Sequence, residues 1–145
     1  MVVSVSDMDP TAHHYGITVT DLEASVAFYR DVLGLDVLAE FTVGGEEFAT
    51  GVDVPDASAE FVHLDAGEAR IELVSYEPAG QPHQDSTLNE PGATHLGLAV
   101  DDVEAVYEEL PDDVPTLSEP QTTESGTKIL FVRDPEGNLV ELLED

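Results

Sequence analysis

The sequence predicts an α+β fold, with two tandem βαβββ modules in a single domain of 145 residues. An internal repeat is the main evidence, because residues 14–24 (HYGITVTDLEA) and 95–105 (HLGLAVDDVEA) are identical at six of eleven positions, at an offset of 81. Each copy begins with strand-like alternation and continues with helical spacing. Each copy also ends with a similar strand, RIELV at 70–74 and LVELL at 139–143.

The first module is predicted to open with a strand over residues 14–19, where alternation gives one bulky aliphatic face and one face that bears His14 followed by small residues. A helix is predicted next, because Thr20 and Glu23 fit a capping box and apolar residues then recur at helical spacing. Gly34 suits the C-terminal end of that helix. Three further strands are predicted at about 36–43, 59–65 and 69–76.

The second module repeats this plan. Its first strand, residues 95–100, again has one bulky face and one face headed by His95. Asp101 or Asp102 caps the following helix and Pro111 ends it, and we expect both helices to cover the bulky strand faces. Three strands are predicted at about 116–122, 127–133 and 138–144, with a proline- and glycine-containing turn before the last.

We place the module boundaries at residues 13–76 and 94–145, within one domain that spans residues 1–145. Residues 77–93 are rich in proline, glycine and polar residues and are predicted to be the linker. The interval between the leading histidine and the later glutamate is 58 residues in the first copy and 46 in the second. The first module therefore carries about a dozen extra residues in its middle.

The charge balance excludes two classes of partner. Asp and Glu number 32 against 4 Lys and Arg, which gives a net charge of −28. Nucleic-acid backbones and anionic membrane surfaces would be repelled. The acids are scattered along the chain rather than gathered in one tail, so we interpret them as the solvated surface of a protein from a halophile, where high salt screens the self-repulsion.

The lack of cysteine excludes disulfides, thiolate metal ligands and a cysteine nucleophile. The sequence has no run of 18 or more apolar residues, and its first 12 residues lack the pattern of a secretory signal. A cytoplasmic location is therefore expected, with neither a membrane nor a nucleic acid as partner.

Two glutamates stand out because each interrupts an aliphatic strand, Glu72 within RIELV and Glu141 within LVELL. A carboxylate among core-like residues is costly unless it is paired, protonated or bound to a cation. Together with the two strand-leading histidines, these carboxylates suit a divalent ion such as Zn, Ni, Co, Mn or Fe(II), whose charge they would balance. The alternative is that strand alternation places each glutamate on a solvated face.

Several segments resemble the vicinal oxygen chelate superfamily, which includes glyoxalases, bleomycin-resistance proteins and extradiol dioxygenases. They are HYGITVTDLEASVAFYRDVLGLDVL, RIELV, THLGLAVDDVEA and FVRDPEGNLVELLE, so the resemblance covers nearly all of residues 13–144. It implies a glyoxalase-like fold, in which paired modules form a curved, cradle-like mixed sheet around one divalent metal. The metal ligands that it implies are His14, Glu72, His95 and Glu141. A homodimer is expected, and the sequence leaves open whether each site lies within one chain or is shared between two.

The resemblance further implies a metal-dependent lyase or isomerase, similar to glyoxalase I, acting on a small-molecule substrate that chelates the metal through vicinal oxygens. In such enzymes the metal acts as a Lewis acid and a glutamate transfers a proton. Glu141 is the first candidate for that base and Glu72 the second. Two alternatives stay open: an Fe(II) extradiol-type dioxygenase, for which two histidines and Glu141 would suffice, and a non-catalytic binding protein of the bleomycin-resistance type. The presence of Glu72 favours the lyase or isomerase.

Two further side chains have two interpretations each. His63 either lines the pocket or is an ordinary hydrogen-bonded residue, and Arg70, on the same strand as Glu72, either faces the pocket or forms a surface ion pair. His13 and His83 are expected at the surface, the former on the opposite strand face from its neighbour.

Overall fold

The computed structural model describes residues 4–82 and 87–145, so four residues of the predicted linker, His83 among them, lie outside the described part. Its strands form two four-stranded mixed sheets. The first sheet consists of β1 (His14–Thr18), β2 (Val37–Val43), β3 (Ser58–Asp65) and β4 (Arg70–Glu77). The second consists of β5 (Leu96–Ala99), β6 (Gln121–Thr122), β7 (Lys128–Arg133) and β8 (Leu139–Glu144). This is the α+β architecture that the repeat predicts.

The two sheets have the same topology, with strand orders β1-β4-β3-β2 and β5-β8-β7-β6. In each sheet the first strand runs parallel to the last strand of its module, and the other neighbouring strands are antiparallel. The first strand is therefore an edge strand in both sheets. Because the topology is shared, residues that match in the repeat occupy matching places in the two sheets.

Each module's first strand leads into a helix, as predicted. The helical elements are a 3₁₀ helix (Val5–Met8), α1 (Leu22–Ala27) with a π-helical continuation (Phe28–Val32), α2 (Glu46–Val52) and α3 (Val103–Glu109). The second half of the first helix is wider than a regular α-helix, since the amide of Leu33 donates to the carbonyl of Phe28 at 3.1 Å, five residues earlier. Gly34, at φ 79°, ends this helix as predicted.

Aspartates cap both of these helices. The side chain of Asp21 accepts a 3.0 Å hydrogen bond from the backbone of Ala24 at the start of α1. The predicted capping box at Thr20 is therefore wrong, and the amide of Thr20 instead donates to the Glu136 carboxylate at 2.8 Å. In α3 the cap is Asp102, one of the two aspartates predicted for that position.

Helix α2 is an element that the sequence analysis does not predict. It lies between β2 and β3, where the first module carries its extra residues. With only seven residues, it is too short to display a helical period. Its Phe48 packs against Phe61 and Tyr76, with ring centroids 6.1 Å away from each. The helix therefore covers the end of the first sheet that is distant from His14.

The predicted strand at 116–122 is wrong over most of its length. An isolated bridge joins Thr116 to Val132, and β6 keeps only two residues. Pro120 lies within this segment and Pro115 comes directly before it, and proline has no N–H to donate to a strand ladder. The interruption of the strand follows from these two residues.

The bulky faces of both sheets contribute to one hydrophobic core, together with residues of α1 and α3. Its buried members are Ile17, Val19, Val26, Phe28, Tyr29, Val62, Leu64, Ile71, Leu73, Val103, Leu130, Val132, Val140 and Leu142. Because strand residues alternate between faces, the face that bears the leading histidine of each module is turned away from this core. Among the described helices, none has the length and apolar character needed to cross a membrane.

A buried hydrogen bond joins the two modules. The Tyr29 hydroxyl donates to Asp134 Oδ2 at 2.8 Å, and the same carboxylate accepts from the Asn138 side-chain amide at 2.9 Å. Burial, reinforced by the negative charge of Asp134, raises the pKa of the Tyr29 hydroxyl far above its usual range. The hydroxyl therefore stays protonated and remains a donor.

Replacing Tyr29 by Phe is expected to lower the free energy of unfolding by about 1–3 kcal/mol, because the buried Asp134 carboxylate loses a donor. Urea denaturation followed by circular dichroism measures this change. The half-buried Tyr107 offers a matched control, since Tyr107→Phe is expected to change the free energy of unfolding by less than about 0.5 kcal/mol. A Tyr29→Phe variant as stable as the wild type would contradict the role given to this bond.

Candidate metal centre

The first predicted pair, His14 and Glu72, meets on the outward face of the first sheet. The parallel register of β1 and β4 places Gly16 opposite Glu72, and alternation brings the His14 side chain to the same face. His14 Nε2 lies 3.5 Å from Glu72 Oε2, and the two side chains are 38% and 15% exposed. A Cβ at Gly16 would lie 3.7 Å from Glu72 Oε1, so a larger side chain there would cover the carboxylate.

The second pair, His95 and Glu141, is built in the same way on the second sheet. The register of β5 and β8 places Gly97 opposite Glu141. His95 Nε2 lies 3.2 Å from Glu141 Oε1, and the two side chains are 39% and 20% exposed. The internal repeat therefore extends from the sequence to the geometry of the two histidine–glutamate pairs.

Both pairs have the spacing of two neighbouring ligands of one metal ion. Ligand atoms about 2.1 Å from a divalent ion lie about 3.0 Å apart at an octahedral angle and about 3.4 Å apart at a tetrahedral angle. The nitrogen–oxygen distances in the two pairs are 3.5 and 3.2 Å. Imidazole nitrogens and carboxylate oxygens are also ligands that zinc and other divalent first-row metal ions bind. Each pair thus fits half of a four-ligand site.

The four predicted ligands lie in two separate pairs, His14 with Glu72 and His95 with Glu141. Within residues 4–82 and 87–145, the structure shows no group of three or more His, Cys, Asp or Glu side chains arranged to hold a metal ion. Each pair lies on the outward face of its own sheet and involves the edge strand, β1 or β5. The described part of one chain therefore presents two separate histidine–glutamate pairs rather than one cluster of four side chains.

His63 is a site residue that the sequence analysis did not single out as a ligand or partner. It lies on β3 directly opposite Glu72 and is only 5% exposed. Its Nε2 lies 2.8 Å from Glu72 Oε2, and its Nδ1 lies 3.3 Å from Nη1 of Arg70. His63 therefore contacts the first pair directly, and Arg70 contacts His63. In the sequence, only strand alternation pointed to His63, and alternation alone did not decide whether His63 lines the pocket or is an ordinary hydrogen-bonded residue.

His13 is exposed, as predicted, but its side chain does not take the opposite strand face. Its Nδ1 lies 2.7 Å from Nδ1 of His14. The contact involves Nδ1 of His14, whereas the other ring nitrogen of His14, Nε2, faces Glu72. Histidines that bind metals usually have their second ring nitrogen hydrogen-bonded to a neighbouring group, commonly a carboxylate, a backbone carbonyl or water, and His13 is that neighbour here.

Aromatic rings border both pairs. Phe41 packs edge-on against His63 with ring centroids 5.2 Å apart and stacks on Phe61 at 5.1 Å. Phe131 packs against His95, also with centroids 5.2 Å apart. Because Phe41 is 41% exposed, it offers an apolar surface beside the first pair. Apolar walls with a few convergent polar groups are typical of small-molecule sites.

Comparisons with known proteins point to one family. The model of the Glyoxalase/Bleomycin resistance protein/Dioxygenase superfamily matches residues 11–142. A probable lactoylglutathione lyase from Synechocystis sp. is 27% identical over 138 residues, which cover 90% of this chain and 92% of the relative. An ethylmalonyl-CoA/methylmalonyl-CoA epimerase from Cereibacter sphaeroides is 30% identical over 137 residues, which cover 90% of this chain and 94% of the relative.

Solved structures agree in fold. A glyoxalase family protein from Bacillus cereus superposes with a TM-score of 0.81 at 22% identity, covering 91% of both chains. The trypanothione-dependent glyoxalase I of Leishmania major gives a TM-score of 0.67 at 29% identity, covering 94% of this chain and 87% of the other. With the family model spanning most of its length, this chain belongs to the glyoxalase/bleomycin resistance protein/dioxygenase superfamily.

Proposed function

We propose that the protein is a metal-dependent, glyoxalase-like lyase or isomerase, acting on a small substrate that chelates the metal through vicinal oxygens. The observation that carries this proposal is the repeated pair, His14 with Glu72 and His95 with Glu141, each spaced like two neighbouring metal ligands. The named activities of the two relatives, one a probable lyase and one an epimerase, support the same class of reaction.

The complete site is proposed to form between two chains of a homodimer, from the first pair of one chain and the second pair of its partner. Both pairs lie on outward faces next to the edge strands β1 and β5, so a second copy has access to each. The His14 and His95 side chains are 38% and 39% exposed, which leaves them open to such a copy. Two carboxylates and two imidazoles would balance the charge of a divalent cation.

In this proposal the four side chains hold the ion, which supplies Lewis-acid stabilisation of a developing oxyanion when bound. Glu141 takes a proton from the carbon beside a substrate oxygen and returns one to the product, so the reaction needs no electron acceptor. Glu141 suits this role better than Glu72, because Glu72 Oε2 is engaged by His63 at 2.8 Å. The exposed ring of Phe41 receives the apolar part of the substrate.

A dioxygenase of the two-histidine, one-carboxylate type would leave Glu72 without a role. The contacts that His63 and His14 make with Glu72 support its use as a fourth ligand instead.

Anaerobic purification followed by metal analysis tests the proposed function. The expected result is roughly one divalent ion per chain, together with isomerisation of a hemithioacetal or exchange of an α-proton with solvent deuterium. Iron with oxygen uptake on catechols would instead establish the dioxygenase. Retention of small oxygenated molecules without stoichiometric metal would establish a non-catalytic binding protein.

The net charge of −28 supports a salt-rich cytoplasm as the setting of this activity. Added KCl screens the mutual repulsion of the carboxylates, so the melting temperature is expected to rise as KCl is added. A melting temperature that falls would contradict this part of the proposal.

A further inference from the structure

The carboxylate of Glu72 is held from a strand that does not itself carry a predicted ligand. His63 lies directly opposite Glu72 in the antiparallel register of β3 and β4. The histidine is 5% exposed, and its Nε2 lies 2.8 Å from Glu72 Oε2. A hydrogen bond between a buried imidazole and a largely buried carboxylate fixes the orientation of both groups.

The contact with Arg70 determines which atom of His63 donates. A guanidinium has donors only, so the His63 Nδ1 that lies 3.3 Å from Arg70 Nη1 must accept. The ring proton of His63 is then on Nε2, which donates to Glu72. The three side chains form a directed chain of hydrogen bonds from Arg70 through His63 to the carboxylate.

The second module lacks this chain, although its fold is the same. Phe131 lies opposite Glu141 as His63 lies opposite Glu72. Leu139 stands two residues before Glu141 as Arg70 stands two residues before Glu72. Two polar groups of the first module are thus replaced by two apolar ones, so the device is specific to Glu72 and does not belong to the general construction of the module.

We propose that His63, oriented by Arg70, is a positioning residue that presents the Glu72 carboxylate to the metal. The inference rests on the proposed function, since it assigns a role towards the same ion. His63 engages Oε2, the same oxygen that lies 3.5 Å from His14 Nε2, and Oε1 faces the place where Gly16 carries no side chain. Each carboxylate oxygen has two acceptor lone pairs, so the bond from His63 restrains the carboxylate and leaves Oε2 one lone pair for the metal beside His14. Partners of this kind typically change metal affinity 10- to 100-fold when removed.

Titration of the apo-protein with Co²⁺ tests this role, because the affinity and the visible spectrum are read without any substrate. His63→Leu removes the donor and is expected to weaken Co²⁺ binding about 10- to 100-fold, whereas His63→Gln keeps an N–H near the Nε2 position and is expected to bind within about threefold of the wild type. Phe131→Leu is the matched control at the equivalent place in the second module, and it is expected to have a smaller effect than His63→Leu.

Equal Co²⁺ affinity in the wild type and His63→Leu would overturn the inference while leaving the proposed function intact. An equal loss in His63→Leu and Phe131→Leu would also overturn it, because a general packing effect would then explain both. A wild type that binds no divalent ion would overturn the proposed function and the inference together.

The directed chain of hydrogen bonds is tested without metal by ¹⁵N NMR of the imidazole groups. The expected spectrum shows His63 protonated on Nε2 and unprotonated on Nδ1, with Arg70→Met weakening that preference. Protonation of His63 on Nδ1 in the wild type would overturn the assignment, whatever the protein binds.

Discussion

Replacing Glu141 by Gln is expected to lower kcat for proton transfer by about 100- to 10,000-fold. The amide keeps the length of the side chain and an oxygen that is able to face His95, but it does not take up a proton as a carboxylate does. Because Glu141 is also a proposed metal ligand, solvent deuterium exchange into the substrate is measured by NMR at saturating Co²⁺, so that its loss reports the proton-transfer step rather than metal loss. The expected pattern is a protein that folds and assembles as the wild type does but exchanges protons far more slowly.

The control for this variant is Glu124→Gln, which removes the same charge from an exposed glutamate outside both pairs. Its proton exchange is expected to match that of the wild type. If Glu141→Gln retained wild-type exchange while Glu72→Gln lost it, the two glutamates would have the reverse roles.

Replacing Glu72 by Gln is expected to weaken metal binding by about 100-fold or more. Loss of a residue that only orients a metal ligand already weakens binding about 10- to 100-fold, and loss of a ligand itself is expected to cost at least as much. One anionic donor is removed from the proposed four-ligand set, and the remaining amide oxygen is a weaker donor for a divalent ion. Calorimetric titration with Co²⁺ or Zn²⁺ gives the affinity, and the activity at saturating metal shows whether any loss of activity comes from metal loss alone.

This variant also separates the two enzymatic interpretations. A lyase or isomerase is expected to lose metal or activity in Glu72→Gln, whereas an Fe(II) dioxygenase needs only two histidines and one glutamate and is expected to tolerate the change. Undiminished oxygen uptake by Glu72→Gln on a catechol would therefore contradict the proposed function.

The two histidine–glutamate pairs show how far strand patterns predict a site. Alternation assigns His14 and Glu72 to faces of their strands, and the repeat shows that the second copy does the same. The structure puts each histidine within 3.5 Å of its glutamate, because β1 and β4, and likewise β5 and β8, are neighbours in parallel register. Short-range periodicity and the internal repeat singled out the four residues, whereas the contact of each histidine with its glutamate depends on which strands are neighbours.

The contact of His63 with Glu72 required information that the sequence pattern does not contain. It depends on the antiparallel register of β3 and β4, and a slip of one residue would move His63 to the other face of the sheet. Helix α2 was missed for a different reason, since seven residues with Phe48 as the main apolar contact give no helical period. The prediction of a strand at 116–122 failed because Pro120 interrupts an otherwise strand-like segment that also begins directly after Pro115.

The relation between the two pairs is likewise outside the reach of strand alternation. Which faces of the two sheets share a core is decided by packing over the whole chain, and here the bulky faces and the helices share it. The outward direction of both pairs follows from that packing. The sequence left the choice between a site within one chain and a site between chains open, and the packing supports the second.

Co-expression of two differently tagged chains tests the central claim, that a complete site combines the first pair of one chain with the second pair of another. One chain carries His14→Ala and Glu72→Ala, and the other carries His95→Ala and Glu141→Ala, so neither alone is able to build a four-ligand site. In a heterodimer purified through both tags, one of the two shared sites is intact, and we expect about half of the wild-type metal content and activity. Each variant on its own is expected to bind almost no metal. A purified heterodimer with no more metal or activity than the separate variants would contradict a site shared between chains.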